Sequence, residues 1–128
     1  MNTSEGLARL RGLGGEFHES AERLAKEWVP ESPPITALMY EFGRVIANAA
    51  RSERVEIVRD SMLLVEQLMK DGDQDLKDAV ATGLLECLLA EASAGKLNFA
   101  VIVPYLGKHS RAYCRAWDSF TGVKTAGL

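Results

Sequence analysis

Apolar residues recur along this chain at intervals of three and four, the spacing of one side of an α-helix, and the pattern predicts helices and little else. Residues 16–29 place Phe17, Ala21, Leu24 and Trp28 on one stripe, with Glu19 and Arg23, and Glu22 and Lys26, spaced as ion pairs outside it. The run "PESPP" at 30–34 ends that helix, because consecutive prolines remove donors and push their predecessors out of the helical region. A second helix, from about Pro34, carries Ile35, Leu38, Met39, Phe42, Val45, Ile46 and Ala49 on its core face. Gly43 and Ala47 flank that face and allow a neighbour to come close. With Ser52 as N-cap, residues 53–70 divide into an apolar half (Ile57, Val58, Met62, Leu64, Val65, Leu68, Met69) and a polar half that includes Arg59, Glu66 and Lys70. Gly72 stops this helix. The next, 73–92, is apolar nearly all round in its second half and is therefore expected to be the most buried.

The pattern weakens afterwards. "LNFAVIVPYLG", 97–107, is rich in Val and Ile and interrupted by Pro104; in so helical a chain a short helix is the expectation over an extended segment. Over 108–120 the residues Tyr113, Ala116, Trp117 and Phe120 recur at helical spacing and predict an inward aromatic stripe closed by Gly122. The fold class expected is all-α: a single domain over 1–128, a bundle of about six helices in antiparallel hairpins, with 1–14 and 123–128 loosely ordered.

Composition narrows the function classes. The chain has 128 residues, is 47% hydrophobic and 26% charged, and carries a formal charge of −3. That is an ordinary globular balance, of the wrong sign for a general nucleic-acid binder. No stretch has the length and apolarity of a signal peptide core or a spanning helix, so a cytoplasmic protein without a membrane partner is expected, with Cys87 and Cys114 as free thiols.

The stretch "KDGDQDLKD" at 70–78 invites a calcium-loop reading, with aspartates at alternate positions. Counted from Asp71, Leu76 occupies the place of the obligatory glycine and Thr82 that of the bidentate glutamate. Helix capping accounts for the same residues: Gly72 closes one helix, Asp73 caps the next, and Asp75 sits at its positive end. The acidic stripe continues through Asp75, Asp78, Thr82 and Glu86. Asp75, Asp78 and Glu86 are the candidate partner-binding residues, with Glu86, set among leucines, the most shielded. Lys108, His109, Arg111 and Arg115 form a candidate secondary basic surface on the last helix. No metal site is expected, since His18, His109, Cys87 and Cys114 match no ligand spacing, and no cofactor is implied. No nucleophile elbow, P-loop or HExxH is present. Glu66 falls on the wet side of its helix with Arg59 and Lys70, and does not pair with Glu86.

The segments "LLVEQLMKDGDQDLKDAVATGLLECLLAE" and "PYLGKHSRAYCRAWDSFTG" resemble, over Ile35 to Gly122, a family of small all-helical bacterial proteins of unknown function. Its members are similar to immunity proteins of bacterial toxin systems, and the helix succession is similar to HEAT-like pairs. The resemblance implies a non-enzymatic module that binds and neutralises a protein partner, a toxin encoded nearby, through a complementary face. The alternative is a small helical enzyme or ligand-binding protein using an interhelical pocket near Glu86, His109 and Tyr113.

Overall fold

The computed structural model describes Met1 to Leu128. Seven α-helices follow one another: α1 Thr3–Arg11, α2 Gly15–Trp28, α3 Ile35–Arg51, α4 Val55–Asp71, α5 Gln74–Ala79, α6 Glu86–Ser93 and α7 Lys108–Thr121. A π-helical stretch, Val80–Leu85, joins α5 to α6 without a break, and there is no β-strand. The chain is thus all-α, with one helix more than the sequence pattern counts. No helix is long and apolar enough to cross a membrane.

The most extensive contact lies between α3 and the π-helical stretch, and glycine on each side allows it. A Cβ on Gly43 would stand 2.7 Å from the Cβ of Cys87 and 2.9 Å from the Leu84 carbonyl oxygen. A Cβ on Gly83 would stand 2.5 Å from the Cβ of Met39 and 2.8 Å from the Thr36 carbonyl oxygen. Ala47, fully buried beside them, continues the close approach expected of the small residues on this face. Around the contact, Met39, Phe42, Ile46, Leu84, Leu85, Leu88 and Leu89 join one core that runs from Leu10 to Cys114.

Why the middle of 73–92 is wrapped on so many sides follows from the π-helical geometry. The Glu86 N–H donates to the Ala81 carbonyl, five residues back. In a regular helix residues four apart drift by about 40° at each step, whereas the wider π turn cancels that drift. Asp78, Thr82, Glu86 and Ala90 therefore stay on the outer side, while Val80, Ala81 and Gly83 to Leu85 are all buried. The start of the helix matches the capping expectation: the Asp73 carboxylate accepts from the Leu76 N–H at 2.9 Å.

Several boundaries differ from the pattern. Ser52 closes α3 instead of opening α4. Glu53, at φ 58°, takes the left-handed position usually filled by glycine; its N–H donates to Ala50 and that of Arg54 to Ala49, the paired bonds of a Schellman turn. Residues 97–107 fold as two 3₁₀ turns, Phe99–Val101 and Val103–Tyr105, anchored by buried Phe99, Ile102 and Leu106. The N-terminal residues, expected to be loose, form α1, because Leu10 is fully buried and Gly6 admits the Leu76 side chain against its backbone. At the other end Asp118 accepts from the Thr125 N–H at 2.8 Å and its hydroxyl at 2.7 Å, folding 123–128 back along α7.

Two substitutions test these contacts with opposite signs. Gly83→Ala gains helix propensity but drives a methyl into α3, and is expected to lower stability by about 1–3 kcal/mol in urea denaturation. Glu53→Gly relieves the left-handed backbone of a side chain and is expected to raise stability by about 1 kcal/mol in the same assay.

Candidate functional site

Helix α7 is set in place by a carboxylate from another helix. Glu66, on α4, reaches the first turn of α7 and takes four hydrogen bonds. Its Oε2 accepts from the His109 N–H at 3.0 Å and lies 2.8 Å from His109 Nδ1; its Oε1 accepts from the Ser110 N–H at 2.9 Å and the Ser110 hydroxyl at 3.0 Å. The cap is thus supplied in trans, at the end of the helix whose free N–H groups favour negative charge. Gly107 leaves the room, since a Cβ there would stand 2.2 Å from the Glu66 Cγ. Burial works to raise the Glu66 pKa, but the bonds from His109 and Ser110 outweigh it and hold the carboxyl below the usual glutamate range. The assignment of Glu66 to a wet face with Arg59 and Lys70 is therefore corrected: its side chain is only 20% exposed. Ser110 is buried with its hydroxyl committed to Glu66, so carboxylate, histidine and serine here form a cap and not a nucleophilic relay.

Held this way, α7 lies across α4 and the π-helical stretch and presents a groove to Glu86. Glu86, Tyr113, Ala116, Trp117, Phe120 and Thr121 line about 400 Å³ of open space. The Tyr113 hydroxyl donates to Glu86 Oε2 at 3.0 Å. Burial, then the Glu86 carboxylate, push the Tyr113 phenol up to about 12, so it remains a donor throughout the neutral range. The inward aromatic stripe expected on α7 holds in part: Tyr113 and Trp117 pack against the rim of the core, and Phe120 does not. The buried residues of α7 are Ser110 and Cys114; Tyr113 and Trp117 are half-buried along the groove, and Phe120 is 91% exposed. The stripe is real in spacing and lies at the rim, where Tyr113 and Trp117 rest on the core and also line the groove.

Glu86 stands apart from the other half-buried carboxylates. Glu41 faces both Arg23 and Arg44, Glu91 faces Arg51, Glu66 has its four donors, and Asp118 has two from Thr125. Glu86 has the single Tyr113 hydroxyl and no ion pair. Its Oε1 makes no hydrogen bond, and since no buried side-chain oxygen lacks a partner, that atom is open to solvent. Of the other acidic candidates, Asp75 and Asp78 are exposed, outside the groove, with Asp78 accepting from the Gln74 amide at 2.7 Å.

The basic candidates do not act as one surface. The Arg111 guanidinium donates to the Val103 carbonyl at 2.9 Å and to that of Leu106, closing the 3₁₀ turns. His109 is spent on Glu66 and does not line the groove with Glu86 and Tyr113; Lys108 and Arg115 are exposed. A larger, wholly polar groove between Arg44, Asn48, Arg51, Glu91 and Lys96 is largely self-paired: Arg51 holds Glu91, the Lys96 carbonyl and Asn48. Cys87 and Cys114 are fully buried, and burial pushes both thiols up to about 12, which leaves them protonated and inert. No three His, Cys, Asp or Glu side chains converge as metal ligands would.

Sequence reasoning overlooked Glu66 because the bonds that occupy it cross from α4 to a segment 43 and 44 residues away. The one available signal was the glycine of "LGKHS", placed just before a helix with no capping side chain of its own.

The chain belongs to the family described as Domain of unknown function (DUF7674), whose model matches residues 9–122. No curated protein and no solved structure matches it significantly.

The Glu66 cap makes a pH prediction. Because its folded pKa is lowered, the ionised carboxylate favours the folded state; that stability is fully present above the unfolded value of about 4.3 and is lost as pH falls through the folded pKa. Glu66→Gln, which points an amide N–H at other N–H groups, is expected to cost about 1.5–3 kcal/mol at pH 7. In urea titrations the gap from wild type should narrow below pH 4.3 and close once Glu66 is protonated.

Proposed function

We propose that this member of the family is a non-enzymatic binding module that docks a protein partner on the groove between Glu86 and α7. One observation carries the reading: a half-buried carboxylate with one hydrogen bond and no cation, beside an almost fully exposed phenylalanine. Shielding from water strengthens an electrostatic contact to an incoming charge, and exposed aromatic side chains around it supply the apolar area that anchors interfaces. Charge complementarity makes the partner's contacting segment basic. Asp75 and Asp78, exposed on the same helical run, serve as an acidic approach that speeds association more than it tightens the complex. An immunity-like role, in which a bacterial toxin is bound and neutralised in the cytoplasm, fits a surface of this kind. The enzyme alternative has less support, since His109, the base it needs, is turned to Glu66.

Capture from lysates of cells carrying the neighbouring genes tests the proposal. Wild type is compared with Asp78→Lys plus Glu86→Lys, and with Phe120→Ala, after circular dichroism confirms equal helicity. Phe120→Ala is expected to change stability by less than about 0.5 kcal/mol, its side chain being out in solvent. Both variants should lose the partner that wild type retains. Equal recovery of that partner by all three proteins would overturn the docking face.

A further inference from the structure

The geometry points to an arginine side chain as the occupant of the Glu86 groove; this deepens the docking proposal and rests on it. Three properties of the groove select among cations. The first is the open oxygen. Glu86 Oε1 accepts nothing from the protein, while Oε2 takes one bond from Tyr113 and keeps a second lone pair. Such a carboxylate is matched by a cation with N–H donors, which excludes quaternary ammonium groups as its best partner.

The second property is the aromatic wall. Trp117 and Tyr113 are half-buried along the groove, and Phe120 is 91% exposed with nothing resting on it. A planar guanidinium stacks on an aromatic face while its edge donates in a fork to a carboxylate; a lysine ammonium, compact and strongly hydrated, achieves only the charge contact. The third is the absence of a competitor. Every other half-buried glutamate is already met by an arginine or a histidine of the chain itself: Glu41 by Arg23 and Arg44, Glu91 by Arg51, and Glu66 by His109. Among these sites Glu86 alone lacks the cation, and Tyr113, Trp117 and Phe120 line the groove it opens into. Its occupant must come from outside the chain, and about 400 Å³ gives room for a guanidinium together with its hydrocarbon stem.

The chain has two tryptophans, so Trp28→Phe leaves Trp117 as the only one and makes its fluorescence a direct report on the groove. The probes are blocked Gly-Gly-Xaa-Gly-Gly peptides with arginine, lysine or citrulline at the centre, and tetramethylammonium chloride. The arginine peptide is expected to change Trp117 emission saturably, with the lysine peptide and tetramethylammonium at least about tenfold weaker and citrulline, the uncharged shape analogue, without a saturable response. Glu86→Gln, which keeps an acceptor for Tyr113 but removes the charge, should weaken the arginine peptide about tenfold or more. If lysine or tetramethylammonium matches arginine, the arginine assignment is wrong while the docking reading stands. If citrulline matches arginine, or Glu86→Gln changes nothing, the carboxylate is not the recognition element and the assignment is equally wrong. If no probe alters the emission, the assignment falls; the docking reading falls with it only where the Glu86 and Phe120 variants also keep the partner that wild type captures.

Discussion

The close approach of α3 to the π-helical stretch is the constraint on which the rest of the molecule depends. Gly43 and Gly83 remove the two side chains that would hold the backbones apart, and α3 then packs directly on the helix that carries most of the apolar surface. Close packing at this density leaves little slack, so a methyl added at either glycine must push the two elements apart. Everything outward follows from it. Widening to π geometry buries an almost continuous apolar segment and still keeps Asp78, Thr82 and Glu86 in one outer row. Without that widening, Glu86 would be turned away from the others, and the groove under α7 would lack its carboxylate.

A second fixed point, the Glu66 cap, decides where α7 lies. A helix that begins with glycine and lysine has no side-chain cap of its own, and four exposed N–H groups at its start need acceptors. Glu66 meets two of them and the side chains of the same two residues, which ties the helix start to the middle of α4. Tyr113 and Trp117 then sit at the edge of the core and beside Glu86. The same local satisfaction explains why the basic residues of α7 do not make a patch: His109 and Arg111 are used to hold the helix and the turns before it.

Glu86 gains its significance by comparison with its neighbours. In a small domain with fifteen basic and eighteen acidic residues, the partly buried carboxylates have found cations or several donors within the chain. One has not, and it lies beside the most exposed aromatic side chain of the molecule. A charge left so placed is costly to shield further without a partner and rewarding to shield with one, which is the physical basis of the docking proposal.

How far the sequence alone reached can be read from particular residues. The positions of α2, α3, α4 and α7, the Asp73 cap and the burial of the helix after it were legible, because each depends on spacing and capping within a few residues. So was the closeness permitted by Gly43, and the greater shielding of Glu86 than of Asp75 or Asp78. The Schellman turn at Glu53, the π widening, the ordering of α1 by Leu76 and the role of Glu66 were not. The ordering of α1 and the role of Glu66 arise from contacts between segments distant in the chain, and the π widening accompanies the packing of 80–85 on α3; the Schellman turn closes within five residues, but on a glutamate where glycine is usual. Periodicity placed Tyr113, Trp117 and Phe120 on one stripe, and that was correct; that the core reaches Tyr113 and Trp117 but not Phe120 depended on how α7 packs on α4 and the π-helical stretch. Local spacing determined which residues share a helix face, and only the tertiary structure decided what that face meets.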